Sequence, residues 1–190
     1  YYLAGEDAVK AAASPQLEGY KARDVEVLLF TDPVDSFWVR TAMGFDGKPF
    51  VSVTQGAGDI DAIKPADAPK DEVKTDDATQ KLIDAMKLAL GDKVQDVRVS
   101  KRLTDSAVCL VNDSALDRNL ERLLSRQKDS GVSISAPVLE INPSHALIKA
   151  LAKSSDVSDA AHLLLDQAFI LEGEQVADPG GFVRRMGEVM

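Results

Sequence analysis

Asp32 and Asp35 stand three residues apart, just beyond the apolar run Val25-Glu26-Val27-Leu28-Leu29-Phe30. Two carboxylates so close could share general acid and general base work, provided their surroundings separate their pKa values. Both fall, however, where aspartate serves the backbone. Asp32 lies in a turn before Pro33, and Asp35 lies in the first turn of an expected helix, where negative charge is favoured. The structural reading is the stronger. Gly56 and Gly58 resemble the start of a dinucleotide loop, but Asp61 occupies the place of the third glycine. The phosphate cradle of such a loop also needs a helix N-terminus, which this stretch does not open. His145 and His162 have no Cys or His at ligand spacing, so no zinc site is expected. Cys109 has apolar neighbours in an expected strand and reads as a buried, inert thiol.

The elements that would position these residues come from a chain of 190 residues, 45% apolar and 28% charged, with a formal net charge of −9. That length can bury one core or two small ones. The acidity argues against nucleic acid and anionic membranes as partners, because both need a basic surface. No apolar stretch approaches the roughly 20 residues that span a bilayer. One cysteine excludes an internal disulfide framework and fits a reducing, cytoplasmic location. The chain opens at Tyr1 without Met, on strand-forming residues, which suggests a piece of a longer protein.

Residues 1–54 alternate strand and helix signals and read as a small α/β layer. Strands are expected at Tyr1–Leu3, at Val25–Phe30 (buried and parallel) and at Phe50–Val53. Short helices are expected at Glu6–Ala13, after Ser14-Pro15, and at Val34–Met43. Residues 55–74 are rich in Gly, Pro, Asp and Ala and read as a linker or long loop. Residues 75–190 read as an α+β domain with a short three-stranded sheet and a helical end. Its helices are expected at Thr75–Leu90, from Asn112, Asp113 or Ser114 to Lys128, from Asn142-Pro143, from Ser155 or Asp156 to Gly173, and from Asp178-Pro179. Its strands are Val94–Ser100 and Ala107–Val111, expected as a hairpin, and Val138–Ile141.

Three apolar features stand out. Phe37 and Trp38 are adjacent on an expected helix, about 100° apart, so one is expected in the core and the other partly exposed. Leu116, Leu120, Leu123 and Leu124 form a helical stripe with Arg118, Glu121, Arg122 and Arg126 elsewhere, a pattern that usually packs on its own domain. Ala160–Leu171 is apolar around most of its circumference, and a short helix with Phe182, Val183, Met186 and Val189 follows. A second copy could cover the pair as a four-helix bundle; the competing reading is cover by the Thr75–Leu90 helix.

The phrases VEVLLFTDPVD, FDGKPFVSV, VQDVRVSKRLTDSAVCLV, LEINPSHALIKAL and LLLDQAFILEGEQVADPGGFVRRM, in this order, resemble the ninety-kilodalton heat-shock chaperone family, especially its bacterial HtpG-type members. The resemblance implies the end of a middle domain (1–54) and a C-terminal dimerisation domain (75–190). It implies a homodimer formed by the last helices, with Leu164, Leu165, Ala168, Phe169, Leu171, Phe182, Val183 and Met186 at the interface. It implies weak binding of non-native client proteins by Phe37, Trp38, Leu116, Leu120, Leu123 and Leu124. Family members often carry Met in that second region, where this chain has Leu, which puts the breadth of client binding in question. ATP and Mg would belong to regions of the full-length protein before Tyr1, leaving this segment without catalytic residues or a cofactor. A small α/β enzyme using Asp32, Asp35 or the Gly56–Gly58 loop is the alternative.

Overall fold

The computed structural model describes residues 1–42, 44–55, 60, 63, 76–114, 116–126, 131 and 133–189. The Gly56–Gly58 segment and most of the expected 55–74 linker lie outside the described residues. Ile60, inside that span, is buried against Leu3, Leu17, Tyr20 and Val53.

The first part holds strand β1 (Tyr2–Ala4), helix α1 (Ala8–Ala12), a 3-10 turn at Pro15–Leu17, helix α2 (Glu18–Lys21), strand β2 (Leu28–Phe30) and helix α3 (Asp35–Thr41). Local chemistry starts these helices. Asp7 accepts from the Lys10 amide at 2.9 Å, and the Ser14 hydroxyl accepts from the Gln16 amide at 3.2 Å with Pro15 following. β1 and β2 pair in parallel. The expectation that β2 is buried is corrected: Leu28 and Leu29 are 51% and 36% exposed, because β2 is the edge of a two-stranded ladder. The Phe50–Val53 strand reduces to an isolated bridge between Tyr2 and Ser52. Phe45 and Lys48 exchange two backbone hydrogen bonds of 2.9 Å around Asp46 (φ 49°) and Gly47 (φ 73°), the left-handed pair that a tight hairpin turn requires.

The second part runs α4 (Asp77–Leu90), β3 (Asp96–Val99), β4 (Val108–Val111), α5 (Arg118–Ser125), β5 (Val138–Ile141), α6 (Ala146–Leu151), α7 (Ser158–Leu171) and α8 (Pro179–Val189). The expected hairpin of the first two strands does not form. The order is β3-β5-β4, with β5 parallel to β3 and antiparallel to β4. All four residues of β5 are buried, so it takes the centre, where both of its edges are paired.

One face of this sheet, with Val97, Val108, Leu110, Leu139 and Ile141, packs on α4 (Leu82, Ile83, Met86, Leu90) and α7 (Ala161, Leu164, Leu165, Ala168). Cys109, Val111 and Val138 point the other way and meet Leu103, as the two-residue period of a strand dictates.

Three helix starts differ from expectation. α5 is capped by Asp117, whose carboxylate accepts from the Asn119 amide at 2.9 Å, so Leu116 precedes the helix. Asn112 and Ser114 are occupied elsewhere, on the loop before it. α6 is capped by His145 Nδ1, accepting from Leu147 at 3.2 Å, and begins later than Asn142-Pro143. α7 begins at Ser158, two residues after Asp156, whose carboxylate accepts from the Ser158 amide at 3.0 Å. Asp178 does cap α8, accepting from Gly181 at 2.9 Å.

Candidate functional site

The aspartate pair serves its turn. Asp32 Oδ1 accepts from the Val34 amide at 3.0 Å, and Asp35 Oδ2 accepts from the Asp32 amide at 3.2 Å. That geometry starts α3 and presents its aromatic residues. Phe37 and Trp38 are 43% and 47% exposed, so the expectation that one would be core is corrected. The core-facing positions of α3 are Ser36 and Val39 instead. Trp38 is the outer ring of an aromatic stack, 6.0 Å from Phe30 and 5.4 Å from Phe50, which fixes its position without covering it. Val34, at 60% exposure, extends the same apolar surface.

α5 packs beside α3, and Asn119 Nδ2 donates to the Ser36 hydroxyl at 3.1 Å. The structure thus brings the two sequence-derived regions together. The apolar stripe of α5 is shorter than expected and packs largely inward, as the pattern implied. Leu116 lies outside the helix, Leu120 is buried, and Leu123 and Leu124 are half-buried. Leu120 lines a small cavity with Tyr2, Ser36, Arg40, Gln55 and Asp117.

The residues that hold α5 are polar, and Arg118 and Glu121, which lie off the apolar stripe, are both buried. Arg118 forms paired bonds of 2.6 and 3.1 Å with Glu174, lies 5.4 Å over the Phe169 ring, and donates to the Ser135 carbonyl. Glu121 accepts from the Ser114 and Ser135 hydroxyls at 2.6 and 2.7 Å. Burial opposes its ionisation most, but those hydroxyls and the Ser135 amide hold its carboxyl below the ordinary value. Asp117 takes hydroxyl bonds from Ser52 and Thr54 at 2.5 and 2.7 Å. Arg122 donates to the Glu172 carbonyl and approaches Glu6. Arg118, Asp117 and Glu121 were missed because a helical wheel sorts charge outward. The nearby Ser114 and Ser135 hydroxyls carry no periodic signal.

The helical end divides into two classes of residue. Leu164, Leu165 and Ala168 are already buried in the chain's own core, against α4 and the sheet. Phe169 and Phe182 are half-buried. Leu171, Val183 and Met186 are 49%, 68% and 40% exposed, and Ile170 joins them at 47%. α8 is tied to α7 by Arg185, which reaches Asp159 at 3.5 Å and Asp166 at 3.8 Å. His162, on α7, has a buried Nδ1 without a hydrogen-bond partner among the described residues. Burial, then Lys93 and Arg185, hold its pKa below the ordinary value.

Cys109 is buried, and burial followed by the Glu140 charge pushes its thiol far up, away from nucleophilic use. Among the described residues no group of three or more His, Cys, Asp or Glu could hold a metal ion, and no helix is long and apolar enough to cross a membrane.

Apolar side chains are exposed at α3 (Val34, Phe37, Trp38) and on α7–α8 (Ile170, Leu171, Val183, Met186). The sequence matches the Hsp90 protein family over residues 1–190. The chain belongs to the Hsp90 family. Among its relatives is the chaperone protein HtpG of Roseobacter denitrificans, 51% identical over 203 residues, covering 100% of this chain and 32% of that protein. The chaperone protein HtpG of Azorhizobium caulinodans is 49% identical, again over 100% of this chain and 31% of the relative. That of Rhizobium meliloti is also 49% identical, with coverage of 100% and 31%. This Hsp90-family chain therefore spans about a third of the length of the curated relatives it matches.

Proposed function

We propose that the chain is the part of a molecular chaperone that pairs with a second copy and offers apolar surface to non-native proteins. Whole-length similarity to proteins named chaperone HtpG carries this reading. In it, residues 1–54 are the end of a middle domain, 55–74 a linker and 75–190 a dimerisation domain. ATP and Mg are handled in the two thirds of the relatives that this chain does not cover, and the segment itself catalyses nothing. The soluble, acidic chain would work in the cytoplasm.

Phe37 and Trp38 are the best-placed client contacts, being large, apolar and half exposed on a short helix. Leu123 and Leu124, half-buried on α5, are further client contacts in this reading. Leu120 supports that surface from beneath, and Leu116 sits in the loop leading to it. Leu171, Phe182, Val183 and Met186, with Phe169, form the face for the second copy, while Leu164, Leu165 and Ala168 hold α7 to its own core.

The test is suppression of aggregation of a thermally unfolding client by the dimeric chain. Phe37→Ser with Trp38→Ser is expected to reduce suppression severalfold while the circular dichroism spectrum stays that of the folded chain. Unchanged suppression in that folded variant rules out α3 as a client surface. Calorimetry with MgATP is expected to show no tight binding to this chain; micromolar binding would restore the enzyme alternative.

A further inference from the structure

Glu18, on the four-residue helix α2, sends its carboxylate into the turn at residues 104–106, more than eighty residues away in sequence. The amides of Thr104 and Asp105 donate to Oε2 at 2.7 and 2.9 Å. The Ser106 amide donates to Oε1 and Oε2 at 3.1 and 3.2 Å, and the Ser106 hydroxyl donates to Oε1 at 2.5 Å. Three successive amides and a hydroxyl converging on one anion form a backbone nest.

The nest is built without help from its guest. Buried Asn142 donates from Nδ2 to the carbonyls of Thr104 and Ser106, at 3.4 and 3.1 Å. This holds those carbonyls on one side and leaves the amides aimed at the other. The Ser100 hydroxyl, itself donating to Glu140 at 2.9 Å, accepts from the amides of Arg102 and Leu103 and fixes the approach to the turn. Thr104 and Asp105 are exposed and Glu18 is half-buried, so solvent anions reach the rim.

We propose that residues 104–106 are an anion-binding site, filled in this conformation by Glu18, and that Glu18 is a detachable clasp holding the 14–21 strip to the β3–β5–β4 sheet. A small oxyanion of carboxylate or phosphate type is the competing ligand. Burial works against the Glu18 charge most, but Ser106 and the amides of Asp105, Thr104 and Ser106 overcome it and keep the carboxyl below its ordinary pKa, in agreement with a seated anion. The rest of the strip is shaped for the same contact: Gly19 lies so near Arg102 that a Cβ would sit 2.8 Å from its backbone.

Two measurements test the proposal. Hydrogen exchange by NMR is expected to show slow amides at exposed Thr104 and Asp105 in the wild type. Glu18→Gln, which removes the charge and places an N–H₂ group against donors, is expected to speed them at least tenfold. Equal rates in the folded variant overturn the clasp. In Glu18→Ala, titration with inorganic phosphate is expected to give saturable shifts of the 104–106 amides that the wild type does not show. Absence of those shifts, or equal shifts with chloride at matched ionic strength, overturns the anion site. If Glu18→Ala does not fold, the same titration is made on Glu18→Gln, with the same outcomes.

Discussion

Glu172 shows how much chemistry one carboxyl can acquire from its neighbours. It caps α7, accepts from Gln16 Nε2 at 3.2 Å, and lines a cavity of about 80 Å³ with Glu6, Asp117, Arg118, Arg122 and Glu174. Burial pushes its pKa up to about 7, against a bond from Gln16 and the charge of Arg118. A folded-state pKa above the unfolded value of 4.5 means that its contribution to stability is full below pH 4.5 and is lost as pH rises through 7. Glu172→Gln is therefore expected to raise the melting temperature at pH 8 and to leave it nearly unchanged at pH 5, with about 2–4 °C for each kcal/mol gained. Equal shifts at the two pH values would show that the side chain does not titrate in this range. Gly19 poses an opposite case. Alanine there would gain up to about 1 kcal/mol of helix propensity. The clash is with the backbone of Arg102, which cannot rotate away, and overpacking of that kind costs about 1–3 kcal/mol. A urea melt of Gly19→Ala is expected to show net destabilisation; a neutral or stabilising result would mean that α2 docks more loosely than these distances say.

α5 is held less by its leucines than by its ends and its charges. Arg118→Ala leaves Glu174 enclosed without its partner, and breaking a buried pair in this way costs about 3–5 kcal/mol. Arg126 reaches Glu6 at 3.4 Å on the exposed surface, and Arg126→Ala is expected to change stability by less than about 1 kcal/mol. Comparable losses in chemical denaturation would refute the ranking. This element also marks what the sequence could reveal. Periodicity finds the apolar stripe, and it places α4, β5, α7 and α8 within about two residues. It cannot find Asp117 as the cap, because Asn112, Asp113 and Ser114 offer the same local chemistry and the choice depends on Ser52 and Thr54. Nor can it order the sheet. A hairpin of β3 and β4 and a central β5 use the same alternation, and long-range burial of Val138–Ile141 decides between them. The exposed aromatic pair was legible as an anomaly of composition, but the placing of Trp38 depends on Phe30 and Phe50, which brace it from the side.

At the scale of the molecule, the proposed pairing asks whether α7 and α8 could serve both the chain's own core and a second copy. Leu164, Leu165 and Ala168 turn inward to α4 and the sheet, so that half of α7 already has its cover. Ile170, Leu171, Val183 and Met186 do not. They are 40–68% exposed, which leaves about 1 kcal/mol or somewhat more apiece to be gained on full burial. Four from each of two copies give about 8 kcal/mol, within the estimated 4–15 kcal/mol cost of association. On this arithmetic the proposed dimer lies near its threshold, and two-fold symmetry would double the effect of any change. Val183→Asp is expected to shift the monomer–dimer midpoint at least tenfold upward in a light-scattering concentration series, while the monomer keeps its circular dichroism spectrum. Leu164→Asp is expected to behave differently, lowering the melting temperature at every concentration, because its charge would lie in the core of the single chain. If Val183→Asp left association untouched and Leu164→Asp alone removed it, the second copy would engage some other face, and the exposed side of α7–α8 would need a different occupant.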